Sequence, residues 1–252
     1  MTKGLIMKWE SRKEEIGREI VRSLYDNKMI LTWCRDNPEG WKLASGKWSP
    51  FYINLRELPA FPALLKKVGS GLAELVKSEI PDGDLLVGLA MAGIPIATAI
   101  SIEGMIPSAF TRKVEGEIGD FDSVIKQYGK HSLVEGRLEE GKNVILVDDL
   151  VSYFTSKTQG IKIVEYEARR RNLSNLAVKD ILVLLDREQG GKEEAKSAGV
   201  SLHSMIPFKS KGIHWLKDDF SKVEYEIITR YLDNPEDYQD EKVQRELMAV
   251  VR

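Results

Sequence analysis

The chain has 252 residues, 42% of them apolar, enough for one substantial core. Its 37 basic and 39 acidic residues nearly cancel, so overall charge gives no case for a nucleic-acid or membrane surface, and partners have to be read from local sites. A single cysteine, Cys34, excludes an intramolecular disulfide and a multi-cysteine metal site. No segment approaches the roughly 20 apolar residues needed to cross a bilayer, and the opening MTKGLIMKWESRKEE has no signal-like apolar stretch, so a cytoplasmic protein is expected.

In chain order, Ser11 followed by Glu14 has the spacing of a capping box, and Ile16, Ile20, Val21 and Leu24 then recur at helical spacing, predicting a helix to about Asp26. Leu64, Leu65, Val68, Leu72, Leu75 and Val76 predict a second amphipathic helix that ends before Pro81-Asp82-Gly83-Asp84. Short apolar runs follow at Leu85–Leu89, Ser108–Thr111, Val144–Val147 and Ile181–Leu185, with Ile161, Val164 and Ala168 marking a helix between the last two. Strands separated by helices predict an α/β fold with a mostly parallel central sheet flanked by helices. Ser221 to Glu224 repeats the capping-box spacing, Asn234-Pro235 should end the helix it opens, and a last helix is expected near Lys242–Val251. The expected organisation is a main domain over residues 1–215, with an N-terminal helical hood, and a helical appendage over 216–252.

The stretch Val144-Ile-Leu-Val-Asp148-Asp149-Leu-Val-Ser152 carries the most chemistry. In open parallel sheets ligands gather at the carboxyl ends of strands, where the next helix presents unpaired backbone N–H groups to an anion. Two carboxylates beside such a phosphate site can accept hydrogen bonds from sugar hydroxyls, which suits a phosphorylated ribose better than a bare anion. A pair of polar residues closing a strand is the plainer alternative. His131, His203 and His214 lack metal-ligand spacing, and the five tryptophans are expected to serve packing.

This stretch resembles the start of the motif with which type I phosphoribosyltransferases hold phosphoribosyl pyrophosphate. Four further segments resemble the orotate phosphoribosyltransferase family: Leu43 to Ile53, Gly88 to Ala99, Tyr128 to Gly136, and Leu185-Asp186-Arg187-Glu188-Gln189-Gly190-Gly191. The resemblance covers roughly residues 40 to 210 and keeps the family's order. It implies a type I phosphoribosyltransferase fold and transfer of ribose 5-phosphate from phosphoribosyl pyrophosphate, with Mg2+, to orotate or another pyrimidine in a homodimer. It further implies that Arg112, Lys113 and Lys126 meet the pyrophosphate, that Ala92 and Gly93 let backbone N–H groups approach it, and that Asp148 and Asp149 hold the ribose hydroxyls. Ser152, Thr155 and Ser156 would then offer hydroxyls to phosphate, and Arg187 a planar bidentate donor to the orotate carboxylate.

Two departures from the family pattern stand out. After the acids the chain reads Ser152-Tyr153-Phe154-Thr155-Ser156-Lys157, with no glycine; if the turn needs a positive φ, Phe154 would cost about 1–2 kcal/mol there. Between Lys113 and Lys126 lies an insertion with the acids Glu115, Glu117, Asp120 and Asp122, in a segment expected to be mobile and to close over ligand. The alternative function is therefore a non-catalytic relative that binds a nucleotide or phosphoribosyl ligand as a sensor or partner subunit.

Overall fold

The apolar runs assemble into one six-stranded sheet. A computed structural model describes residues 3–43, 46–113, 132–152 and 154–251. Its central strands are β5 (Leu85–Gly88), β6 (Ser108–Thr111), β7 (Val134–Glu135), β8 (Asn143–Val151), β9 (Ala177–Asp186) and β10 (Ser201–Pro207), in the order β10-β9-β8-β5-β6-β7. All neighbours are parallel except β6 and β7, which pair antiparallel at the edge. Before them come two small antiparallel pairs: β1 (Ile30–Thr32) with β4 (Phe51–Ile53), and β2 (Trp41–Lys42) with β3 (Trp48–Ser49).

Both faces of the sheet are covered, which is why its strands are apolar at nearly every position rather than at alternate ones. Along β8, Val144 and Leu146 enter one hydrophobic cluster while Ile145 and Val147 enter the other; on β9, Ile181 and Val183 separate from Leu182 and Leu184 in the same way. The larger cluster packs under α1 (Lys3–Asp26), α2 (Pro62–Glu79) and α3 (Gly93–Gly104). The smaller one packs under α4 (Thr155–Arg170) and α5 (Gly191–Ser197).

The helix α1 begins earlier than the capping-box spacing predicts. Ser11 lies inside it, and its hydroxyl donates back to the Met7 carbonyl at 3.1 Å, so the pattern marks no terminus. The second capping box does form. Ser221 Oγ accepts the Glu224 N–H and Glu224 accepts the Ser221 N–H, both at 3.2 Å, opening α6 (Lys222–Asp233) before Asn234. The final helix, α7 (Glu241–Val251), follows the short turn Pro235–Tyr238.

Residues beyond 216 pack into the larger cluster through Phe220, Ile228, Tyr231, Leu232, Tyr238 and Leu247. They also bond to the small strands: Thr32 Oγ1 donates to Glu224, Trp33 Nε1 to the Leu247 carbonyl at 3.3 Å, and the Trp48 N–H to Gln239 at 2.8 Å. The tail therefore braces the hairpin segment that stands over the carboxyl ends of the sheet.

Below the sheet, toward the amino-terminal halves of β9 and β10, His203 bridges Glu79 at 3.2 Å and Asp180 at 2.9 Å. Glu79 also accepts from Trp9 Nε1 at 2.9 Å and Lys13 Nζ at 2.7 Å, which ties α1, α2 and two strands together. Burial alone would raise the Glu79 carboxyl, but bonds from His203, Lys13 and Trp9 outweigh it and hold it down to about 2. Burial likewise works against a charged His203, yet its bonds to Glu79 and Asp180 raise its pKa.

Candidate active site

At the carboxyl ends of β5, β8 and β9 lies a cleft of about 480 Å3, where a parallel sheet is expected to hold its ligand. Its walls bring together Ala92, Lys113, Asp148, Asp149, Ser152, Ser156 and Arg187, which the sequence spreads over nearly a hundred residues. Tyr52, Arg56, Met91 and Lys157 complete much of the lining.

The acids are placed by the end of β8, which runs on through Val151 because β9 continues to pair with it as far as Asp186. Asp148 Oδ1 accepts the Asp149 N–H at 2.9 Å, and Asp149 Oδ1 accepts the Leu150 N–H at 2.8 Å. Burial pushes the Asp149 carboxyl up to about 7, and the charge of Asp148 adds to the shift; the Leu150 N–H and Lys157 pull the other way without overcoming it. Arg187 follows the last residue of β9. It is buried, its N–H donates to the Val151 carbonyl at 2.9 Å, and its guanidinium lies 4.8 Å from the centre of the Phe51 ring. A planar cation stacked in this way has its fork orientation set by packing.

Other expected residues stand elsewhere. Gly93 is buried at the start of α3 and its N–H donates to the Leu89 carbonyl at 3.0 Å, so that N–H is not presented to a ligand. What glycine provides here is close packing, because a Cβ would stand 2.3 Å from the Val147 carbonyl oxygen. Arg112 pairs with Glu135 across the β6–β7 edge, Nε to Oε1 at 2.6 Å, and does not line the cleft. Thr155 is exposed at the start of α4, outside the lining, while Ser156 beside it faces in. Lys126, His131, Tyr153 and the acidic insertion lie outside the described residues.

The turn into α4 does not ask Phe154 for a positive φ. Its angles are φ −88° and ψ 0°, and its ring is buried in the smaller cluster at 1% exposure. The cost expected from the missing glycine does not arise, because the chain enters the helix through an ordinary right-handed conformation with the phenylalanine as an anchor. The α4 N-terminus has no side-chain cap, and the first N–H groups of a helix lack intrahelical acceptors, which favours an anion beside Ser152 and Ser156.

Lys157 was not recognisable as a site residue by type, since lysines are seldom buried. Its spacing gives a signal: Lys157, Gly160, Val164, Glu167 and Ala168 share the buried face of α4. Arg56, which donates to the Tyr52 hydroxyl at 3.1 Å, has no comparable signal in the sequence.

No protein-family model matches the chain. The fold is shared with UMP synthase of Leishmania donovani, at a TM-score of 0.69 and 25% identity over 86% of this chain and 42% of that one. It is also shared with orotate phosphoribosyltransferase of Aeropyrum pernix, at a TM-score of 0.61 and 24% identity over 79% of this chain and 97% of that one. In sequence the chain is 33% identical over 168 residues to orotate phosphoribosyltransferase of Methanocaldococcus jannaschii, spanning 66% of this chain and 84% of that one. It is 32% identical over 193 residues to the Staphylothermus marinus protein of the same name, spanning 77% and 82%. With a type I phosphoribosyltransferase sheet, acids at the end of β8 and an arginine after β9, the chain belongs to the orotate phosphoribosyltransferase family.

Proposed function

We propose that this chain transfers ribose 5-phosphate from phosphoribosyl pyrophosphate to orotate, as a cytoplasmic homodimer in pyrimidine nucleotide synthesis. The observation that carries the reading is the single cleft in which Lys113, the acid pair, Ser156 and Arg187 converge. Family membership supplies the substrate class.

In this reading the 5-phosphate lies against the α4 N-terminus with Ser152 and Ser156, and the ribose hydroxyls donate to Asp148 and Asp149. Arg187 holds the orotate carboxylate, aligning the attacking ring nitrogen with the anomeric carbon. The carbon–oxygen bond to pyrophosphate breaks with its electron pair leaving on pyrophosphate, while the ring nitrogen forms the new glycosidic bond and its proton passes to the departing pyrophosphate or to solvent. Positive charge grows on the sugar and negative charge on the leaving group, so acids near the ribose and Lys113 toward the pyrophosphate stabilise the two ends of the same separation. Lys126 is expected to join Lys113.

Among the described residues no group of three or more His, Cys, Asp or Glu could hold a metal. One oxygen of Asp148 is already taken by Lys157. The donor set fits a magnesium ion that arrives on the pyrophosphate, a hard cation held by substrate oxygens and water, where it neutralises the leaving group.

The test is formation of orotidine monophosphate and pyrophosphate from orotate, phosphoribosyl pyrophosphate and magnesium, with Arg187→Ala beside the native chain. Turnover at about 1–1000 per second, with a rise in the KM for orotate in the variant, is expected. Binding of phosphoribosyl pyrophosphate without turnover would favour the sensor alternative.

A further inference from the structure

Lys157 is a buried charged group of the cleft that the assignments above leave without a role. It is 3% exposed, on the face of α4 packed against the sheet, where an ammonium is costly unless fully paired. Its Nζ lies 2.8 Å from Asp148 Oδ2, 2.5 Å from the Leu150 carbonyl and 3.2 Å from Ser156 Oγ. An ammonium has three hydrogens, and here there are three oxygens to take them. Two belong to the end of β8 and one to the start of α4, so a single side chain closes the turn that contains no glycine.

We propose that Lys157 is a positioning residue for the phosphoribosyl half of the substrate. It serves as a resident cation that keeps Asp148 aimed, and as a tether that fixes the distance between the acid pair and the anion-binding start of α4. Elsewhere a glycine turn can set that distance through backbone shape; here a charged cross-link sets it. Because its three hydrogens are used within the protein, Lys157 gives none to the ligand and acts through Asp148 and Ser156. It therefore governs the sugar and 5-phosphate, and leaves the orotate end at Arg187 alone.

The inference rests on the phosphoribosyl pyrophosphate reading of the cleft, and the experiment separates the two. Native chain and Lys157→Met are titrated calorimetrically with phosphoribosyl pyrophosphate and magnesium, with KM for each substrate measured wherever turnover is present and folding checked by near-ultraviolet dichroism. For the variant a loss of affinity of about tenfold or more is expected, the size associated with a lost charge-assisted hydrogen bond, with the KM for orotate unchanged. A variant that folds and binds within about threefold of native, the scatter of a neutral substitution, overturns the proposal and leaves the cleft reading intact. Equal rises in both KM values also overturn it, since they report general loosening. If Lys157→Met does not fold, Lys157→Arg decides: affinity within about threefold supports a charged tether, and a folded protein with a loss of about tenfold overturns it. Should the native chain bind no phosphoribosyl pyrophosphate, both readings fall together.

Discussion

Asp149 and Glu79 are both carboxylates taken out of water, one at the carboxyl ends of the strands and the other near their amino-terminal halves. Burial works on both in the same direction, yet Asp149 is pushed up to about 7 and Glu79 is held down to about 2. The difference lies in the donors. Glu79 receives Trp9, Lys13 and His203, while Asp149 receives one backbone N–H and faces a like charge. A carboxylate that serves the fold is saturated by the fold. In the proposed reading Asp149 serves a ligand, and it is left short of donors where sugar hydroxyls would supply them.

This contrast can be broken most directly at the acid itself. Asp149→Asn should weaken phosphoribosyl pyrophosphate binding, measured by calorimetry with magnesium, by about 1.5–3 kcal/mol, the worth of hydrogen bonds to a charged group. The ligand-free protein should melt no lower than native, because the substitution removes a charge that burial disfavours. A variant that melts lower and still binds as native does would reverse the roles assigned to the two carboxylates. Glu79→Gln should do the opposite, lowering stability in denaturant unfolding by about 1–3 kcal/mol with ligand affinity unchanged.

A pH series sharpens the same comparison. Glu79 has a folded pKa of about 2, below its ordinary 4.5, so its contribution is complete above pH 4.5 and lost as pH falls toward 2. Asp149 has the opposite sign. Its folded pKa of about 7 lies above the ordinary 3.8, so the native state keeps a proton that the unfolded chain has released, and stability declines as pH rises between those values. Unfolding free energies from pH 2 to 8 should lose their acid limb in Glu79→Gln and their mid-range decline in Asp149→Asn.

The smallest effect is expected at His203, which faces Glu79 and Asp180 with Lys13 nearby. Its folded pKa is raised, so its stabilisation is complete below pH 6.5 and lost as pH rises through the folded value. His203→Gln should cost about 1 kcal/mol in mildly acidic buffer and progressively less in alkaline buffer, as followed by melting temperature. A constant deficit across that range would mean that His203 acts through packing alone.

Much of the fold was legible because period and burial agree. Ser108–Thr111 is found as a strand with the bounds the apolar run suggests, and the acids follow Val147 on β8 as the sheet argument requires. The errors have local causes. A serine and a glutamate three apart also occur within a long helix, so Ser11 carried no information about where α1 starts. The pairs β1–β4 and β2–β3 are two or three residues long, too short for a period to be counted. Phe154 looked costly on the assumption that a phosphate turn needs positive φ, and it stands instead in an ordinary right-handed conformation. Lys157 was hidden by its chemical type, although its position on an otherwise buried helical face could have exposed it.

The bond from Trp33 to the Leu247 carbonyl joins residues 214 positions apart. Trp33 is fully buried, next to the strand β1 that pairs with β4 and so carries Tyr52 to the cleft. During synthesis the N-terminal part of a chain emerges first and folds as far as its contacts allow. The sheet, closed by β10 at Pro207, can assemble while residues 222–251 are still inside the ribosome. The wall above it cannot, since the bonds that brace it come from residues 222–251, which emerge later. The cleft thus reaches its final shape only once residues 222–251 have emerged, after its acids and arginine are already in place.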